Sequence, residues 1–201
     1  MRTLVATLLF GFMTQSMGQN PSLPKGGLSR EASDAFGKKL QTLEKYEHDP
    51  KAKRAPLNVF ESELNSYVRF ALADKIPRGL RDLRIVLREN RLELRGLANL
   101  SEFAEIKEKA AAGMSFLAML GGEVSIEIVA DFKSDKGFGQ FDLVSAQVGP
   151  VPLSPAMVSD IVARITVDAS RPAGFDIRSP FRLPYAAKRI RPQPAQAIVE
   201  Y

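Results

Sequence analysis

Glu123, Glu127 and Asp131 recur at a spacing of four, and these carboxylates are the first residues in the chain that could do chemistry. Two acids can share general acid and general base roles when their surroundings push their proton affinities apart. The segment that carries them, EVSIEIVADF, alternates apolar and polar residues. All three acids therefore fall on the outward face of a strand, where solvated carboxylates are the ordinary outcome. Hydrolysis ranks third among the readings, and no catalytic residue is assigned. Nucleophilic catalysis needs a base beside the nucleophile, usually a histidine. The chain has one histidine, His48, inside the polar stretch HDPKAKRAP, and no cysteine. GMSFL at 113–117 lacks the second glycine of a nucleophile elbow, and GFG at 137–139 lacks the Lys-Ser/Thr pair of a phosphate loop. Without cysteine there are neither disulfides nor thiolate metal sites, and no Asp-rich calcium loop is present. No metal site and no cofactor are expected, and the protein is read as a non-enzyme.

Arginines form a sharper pattern. RDLRIVLRENRLELRGLANL folds on itself if its turn is centred on Glu89-Asn90. That register puts Leu83, Ile85, Leu87, Leu92 and Leu94 on one face, with Gly96 opposite Leu83. The other face holds Arg84, Val86, Arg88, Arg91, Glu93 and Arg95, with Arg84 opposite Arg95 and Arg88 opposite Arg91. Like charges placed directly across a sheet repel. Two compensations present themselves: Glu123, Glu127 and Asp131 interleave from a neighbouring strand, or an anionic head group or membrane surface approaches the arginines. A second basic set, Arg178, Arg182, Lys188, Arg189 and Arg191, has only Asp176 near it in sequence. From it Lys188, Arg189 and Arg191 are candidate surface contacts, with a solvated tail as the plainer alternative.

These residues must be positioned by the elements around them. Ser29 can cap a helix running to about Tyr46, with Ala32, Phe36, Leu40 and Leu43 on one face. ESELNSYVRFALADKIP places Leu64, Tyr67, Val68, Ala71 and Leu72 along one side of a second helix, which Pro77 and Gly79 stop. A short helix over 101–114 and an apolar FLAMLGG stretch lead into the second hairpin, EVSIEIVADF and FGQFDLVSAQV, with Val124, Ile126, Ile128, Ala130 and Phe132 inward. Gly149, Pro150 and Pro152 end that hairpin, and Ser154 and Pro155 start a helix bearing Met157, Val158, Ile161, Val162 and Ile165. AQAIVEY is a final strand. Hairpins without crossovers imply an α+β fold, with an antiparallel sheet built from two hairpins plus a C-terminal strand and packed against two or three helices.

The N-terminal MRTLVATLLFGFMTQSMGQN has the layout of a secretory signal: Arg2, an apolar run from Leu4 to Phe12, and small residues Ser16 and Gly18. A buried helix is the alternative. The division expected is a signal over 1–18, a flexible lead-in with helix and basic linker over 19–56, and one α+β domain over 57–201. The net charge of +5 in an exported chain points to anionic lipid head groups, wall polymers or acidic proteins, and away from nucleic acid. The expected location is the periplasm, with the chain soluble after cleavage.

ESELNSYVRFAL, FDLVSAQVGPVPLSPAMVSDIV and FRLPY together resemble motifs of exported bacterial envelope proteins similar to single-module TULIP-like and AsmA-like lipid-binding domains. The likeness covers about residues 57–190. It implies that Glu63, Leu64, Asn65 and Tyr67, and Gly149, Pro152 and Pro155 at the corner, define the fold. It also implies a curved sheet wrapping a helix beside an apolar groove, and it supplies no catalytic residue. With Leu83, Ile85, Leu92, Leu94, Ile126 and Ile128 as groove lining, the leading expectation is a lipid or other apolar envelope molecule as ligand. Arg84, Arg88, Arg91, Arg95, Lys188, Arg189 and Arg191 would then face head groups or a membrane. Helices that seal the sheet into a closed core are the alternative outcome. A protein–protein adaptor or assembly factor without a small ligand is the alternative function.

Overall fold

Caps written into the sequence start each helix. The computed structural model describes residues 27–49, 54–76, 79–100, 102, 122–167 and 172–201. The expected signal, most of the lead-in, the helix expected at 101–114 (Glu102 apart), the FLAMLGG stretch up to Gly121 and the His48 side chain lie outside the described residues. Helix α1 spans Arg30–His48, and the Ser29 hydroxyl accepts the Ala32 N–H at its start. Phe36 and Leu43 of α1 are wholly buried. Helix α2, Glu61–Phe70, follows strand β1, Leu57–Phe60, without a linker. Glu63 in its first turn accepts the Phe60 N–H at 3.0 Å, an N3 carboxylate reaching back to the cap. Helix α3, Pro155–Ile165, has Ser154 as its cap and Pro155 at its first position, as expected.

The main sheet runs in the order β2 (Leu80–Arg88), β3 (Arg91–Asn99), β4 (Glu123–Asp135), β5 (Phe138–Val148), β6 (Val151–Pro152), every neighbour antiparallel. Strand β7, Phe181–Arg182, pairs with the start of β5. The fold is α+β with an antiparallel sheet, as the hairpin pattern predicts. The expected register holds from Arg88 opposite Arg91 to Arg84 opposite Arg95, then slips so that Arg81 meets Leu97. The extra residue is absorbed at a bulge where Asp82 takes a left-handed φ of 51°. Leu83 nonetheless lies over Gly96, where an added Cβ would meet its Cδ2 at 2.7 Å. A second bulge leaves Val144 of β5 without a partner on β4, and bulges of this kind bend the strands that carry them.

One expectation is corrected. The C-terminal strand does not join the main sheet. β8 (Arg189–Gln193) and β9 (Gln196–Glu200) form a third hairpin, and β1 pairs with the other edge of β9 to give a separate three-stranded sheet. KRIRPQ did not read as a strand because a proline interrupts its alternation; Pro192 is nevertheless buried. The corner after β5 also does more than stop the strand. Val151–Pro152 folds back along Gln147–Val148, and the Gly149 N–H, at φ 56°, donates to the Ser125 carbonyl at 2.7 Å.

Two apolar clusters cover the inner face of the main sheet. At the end carrying the hairpin turns, α1, α2 and the small sheet enclose Phe36, Leu64, Val68, Ile85, Leu87, Phe132 and Val199. At the other end α3, with Phe175 and Ile177, covers Ala98, Ala146 and Val148. Phe181 touches both clusters, stacked on Phe141 at 5.5 Å and edge-on to Phe175 at 5.2 Å.

Candidate ligand-binding site

The first wall of the site is α2, and polar side chains hold it in place. Asn65, 3% exposed, donates to the Ile85 carbonyl at 2.7 Å and accepts the Ile85 N–H at 2.7 Å. Glu61, one turn earlier, accepts the Leu87 N–H at 2.8 Å. The free edge of β2 is thus completed by side chains of a helix, so groups that would otherwise be unsatisfied are paired. Glu63 also takes the Lys39 ammonium of α1 at 2.6 Å, and that lysine donates to the Asn58 carbonyl at 2.9 Å. The buried Ser66 hydroxyl accepts the Ser29 N–H at 3.1 Å, joining the start of α1 to α2. Leu64 is buried in the same core. Tyr67 meets the Phe36 ring edge-on at 5.2 Å, and burial, with the Glu44 charge second, raises its hydroxyl pKa.

Against this wall, the apolar face reads as rows across the sheet. One row is Ile85, Leu94, Ile128 and Ala146, and the row beside it is Gly96, Ile126 and Val148 with Leu83 over Gly96. Ile85, Ala146 and Val148 are buried, whereas Leu83, Leu94, Ile126 and Ile128 are half-buried. Leu92 is half-buried one row nearer the turns. The six expected lining residues therefore share one face, but they divide between the clusters: Leu83, Ile85, Leu92 and Leu94 with α2, Ile126 and Ile128 with α3. In a sheet sealed by helices the central strands are the best covered. Here β2 and β5, beneath α2 and α3, are covered more fully than β3 and β4 between them.

The outer face is an ion-pair lattice. Arg91 bonds Asp131 at 2.7 Å, Arg95 reaches Glu127 at 3.0 Å, and Arg81 pairs with Glu123. Glu93 lies between Arg88 at 3.3 Å and Arg95 at 3.0 Å. The hydrogen bond with Arg91 holds the Asp131 carboxyl below the usual carboxylate range and raises the Arg91 guanidinium in turn. The three acids spaced at four thus each face an arginine. Of Arg84, Arg88, Arg91 and Arg95, only Arg84 has no carboxylate partner among the described residues. In the tail, Arg189 is held by Asp135 at 2.7 Å and Arg191 by Glu200 at 2.6 Å. Lys188 is exposed and unpaired among the described residues.

No family model, curated protein or solved structure matches the chain. The assignment of the site therefore rests on its own geometry. Among the described residues there is no group of three or more His, Cys, Asp or Glu side chains disposed to hold a metal ion, and no helix is long and apolar enough to cross a membrane. Sequence reasoning missed Glu61 and the role of Asn65, although two polar residues one helical turn apart beside Leu64 and Val68 were a signal. It also missed Thr166, whose hydroxyl donates to the Val162 carbonyl at 2.7 Å and accepts the Phe175 N–H at 2.6 Å, closing the end of α3.

Proposed function

We propose that the protein is a non-enzymatic, exported envelope protein that binds a lipid or another apolar molecule along the inner face of its main sheet. The reading is carried by one observation: the aliphatic rows are half-buried along a band that crosses β3 and β4 and takes in Leu83 of β2, between the parts buried under α2 and α3. Leu83, Leu94, Ile126 and Ile128 form a band with no polar side chain among them, suited to an acyl chain and to little else. The resemblance of the helix and corner motifs to TULIP-like and AsmA-like domains supports the same reading. So does the N-terminal MRTLVATLLFGF, with the pattern of an export signal. The arginine lattice has its own carboxylates, so a ligand's head group would find its contacts elsewhere.

Native mass spectrometry of the purified protein, followed by solvent extraction, tests the proposal. Lipid is expected to co-purify, and a fluorescent fatty acid is expected to bind and be displaced by it. Ile128→Glu, which puts a charge in the middle of the band, should abolish both signals while the far-ultraviolet circular dichroism is kept. Recovery of no lipid and no uptake of the probe by the unmodified protein would overturn the reading in favour of the adaptor alternative.

A further inference from the structure

A second surface lies at the tip of the β4–β5 hairpin, where no function has been assigned. Lys136 and Gly137 form a two-residue turn with both φ angles left-handed, 49° and 84°, the geometry that suits the twist of a sheet hairpin. The turn is fixed from both sides: the Gly137 N–H donates to the Lys188 carbonyl at 2.9 Å, and the Leu183 N–H donates to the Gly137 carbonyl at 2.8 Å. This brings three stretches of chain together and puts Lys136, Arg182 and Lys188 around Phe138, the residue after the turn. Phe138 is 51% exposed, and the Arg182 guanidinium stands 6.0 Å from its ring centre. Lys136, Arg182 and Lys188 are exposed and have no carboxylate partner among the described residues. Asp135, which precedes Lys136, is committed to Arg189 at 2.7 Å, and Glu200 near Lys188 is committed to Arg191 at 2.6 Å. The tip therefore differs from the arginine lattice, where acids and bases alternate.

We propose that this tip docks the protein on an anionic lipid surface, with Phe138 entering the interfacial layer and Lys136, Arg182 and Lys188 resting on the lipid phosphates. An exposed aromatic ring beside a hairpin turn fits the boundary between head groups and chains. Lysine and arginine stems can lie along the apolar layer while their charges stay in water. Each cation brought to an anionic surface strengthens partitioning about fivefold. An acidic protein could answer the charge, but the exposed Phe138 ring among the cations favours a surface that offers phosphates and an apolar layer together. The tip would act whether or not the aliphatic band holds a ligand.

Sedimentation of the purified protein with vesicles tests this directly. Binding to vesicles of equal phosphatidylglycerol and phosphatidylcholine is expected, with little binding to phosphatidylcholine alone and weakening as salt rises. Lys136→Gln with Lys188→Gln should weaken it about 25-fold, and Phe138→Ser about tenfold. Glu127→Gln, on the lattice, should leave it unchanged. Lys136, Phe138 and Lys188 are exposed, and an unchanged melting temperature will show that the variants are folded. Equal binding to both vesicle types, or insensitivity to the tip variants, would overturn the proposal. So would absence of vesicle binding with capture of an acidic protein at the same residues. The two sites fail separately: lipid extraction reports on the band and should be unaffected by Phe138→Ser, whereas vesicle binding reports on the tip.

Discussion

The two coverings of the main sheet are built on different principles. At the turn end, α2 is held by directional bonds: Asn65 to both backbone groups of Ile85, Glu61 to Leu87, Glu63 to Lys39 and Phe60. At the other end, α3 lies on Ala146 and Val148 largely through aliphatic contact, and its polar ties are few: Ser154 at the start, Thr166 at the close, and mid-helix a bond from the buried Ser159 to Asp176 of the following loop. Directional bonds admit one placement of a helix, whereas aliphatic contact tolerates small shifts. The lesson is a division of labour. One wall of the half-buried band is fixed by directional bonds, and the other is held chiefly by aliphatic contact.

The largest effects are expected at the α2 wall. Lys39→Met leaves the Glu63 carboxylate buried without its cation and should cost about 4 kcal/mol in urea unfolding. Adding Glu63→Gln should recover most of that loss; equal destabilisation of single and double variants would show that charge pairing is not the cause. Asn65→Ala, which strands the N–H and C=O of Ile85, should cost about 3 kcal/mol. At the α3 wall, Gly174 has a φ of 75° and a Cβ there would collide with the Ala163 carbonyl. Gly174→Ala should cost about 2 kcal/mol, and hydrogen exchange should quicken at α3 while α2 stays protected.

Asp176, bonded to Ser159 of α3, makes this end of the sheet respond to pH. The Arg178 backbone N–H, then the Ser179 hydroxyl, lower its pKa from 3.8 to about 2. A depressed carboxyl contributes stability that is complete above the unfolded value and is lost as pH falls from about 4 through about 2. Asp176→Asn should therefore flatten that part of the acid-unfolding curve, with the change read at α3 and not at α2. The smallest effect is expected outside both walls: Glu127→Gln removes one exposed partner of Arg95 and should cost less than about 1 kcal/mol.

Much of the frame was legible because it is periodic. A turn at Glu89-Asn90 puts Ile85 and Leu87 on the same face as Leu92 and Leu94, and a slip of one residue would turn one strand's pair to the opposite face. Ser29 and Ser154 announced helix starts by their chemistry. The bulge at Asp82 escaped notice because its left-handed backbone leaves no mark in the alternation. The β8–β9 hairpin escaped because Pro192 and Pro194 break the pattern by which strands are recognised. In the candidate site, alternation showed that Ile85, Leu92, Leu94, Ile126 and Ile128 share a face, but not that they divide between two clusters.

Residue order by itself determined which side chains face inward, where the helices begin, and that no cysteine or paired histidine chemistry is available. These follow from local periods and composition. Only the tertiary structure decided that Asn65 completes the edge of β2, that Glu127 and Asp131 answer Arg95 and Arg91, and that β3 and β4 are less covered than their neighbours. It alone brought Lys136, Phe138, Arg182 and Lys188 to one tip. The physical reason is common to all of them: each depends on groups from separate stretches of chain meeting in space, and no local pattern encodes such a meeting.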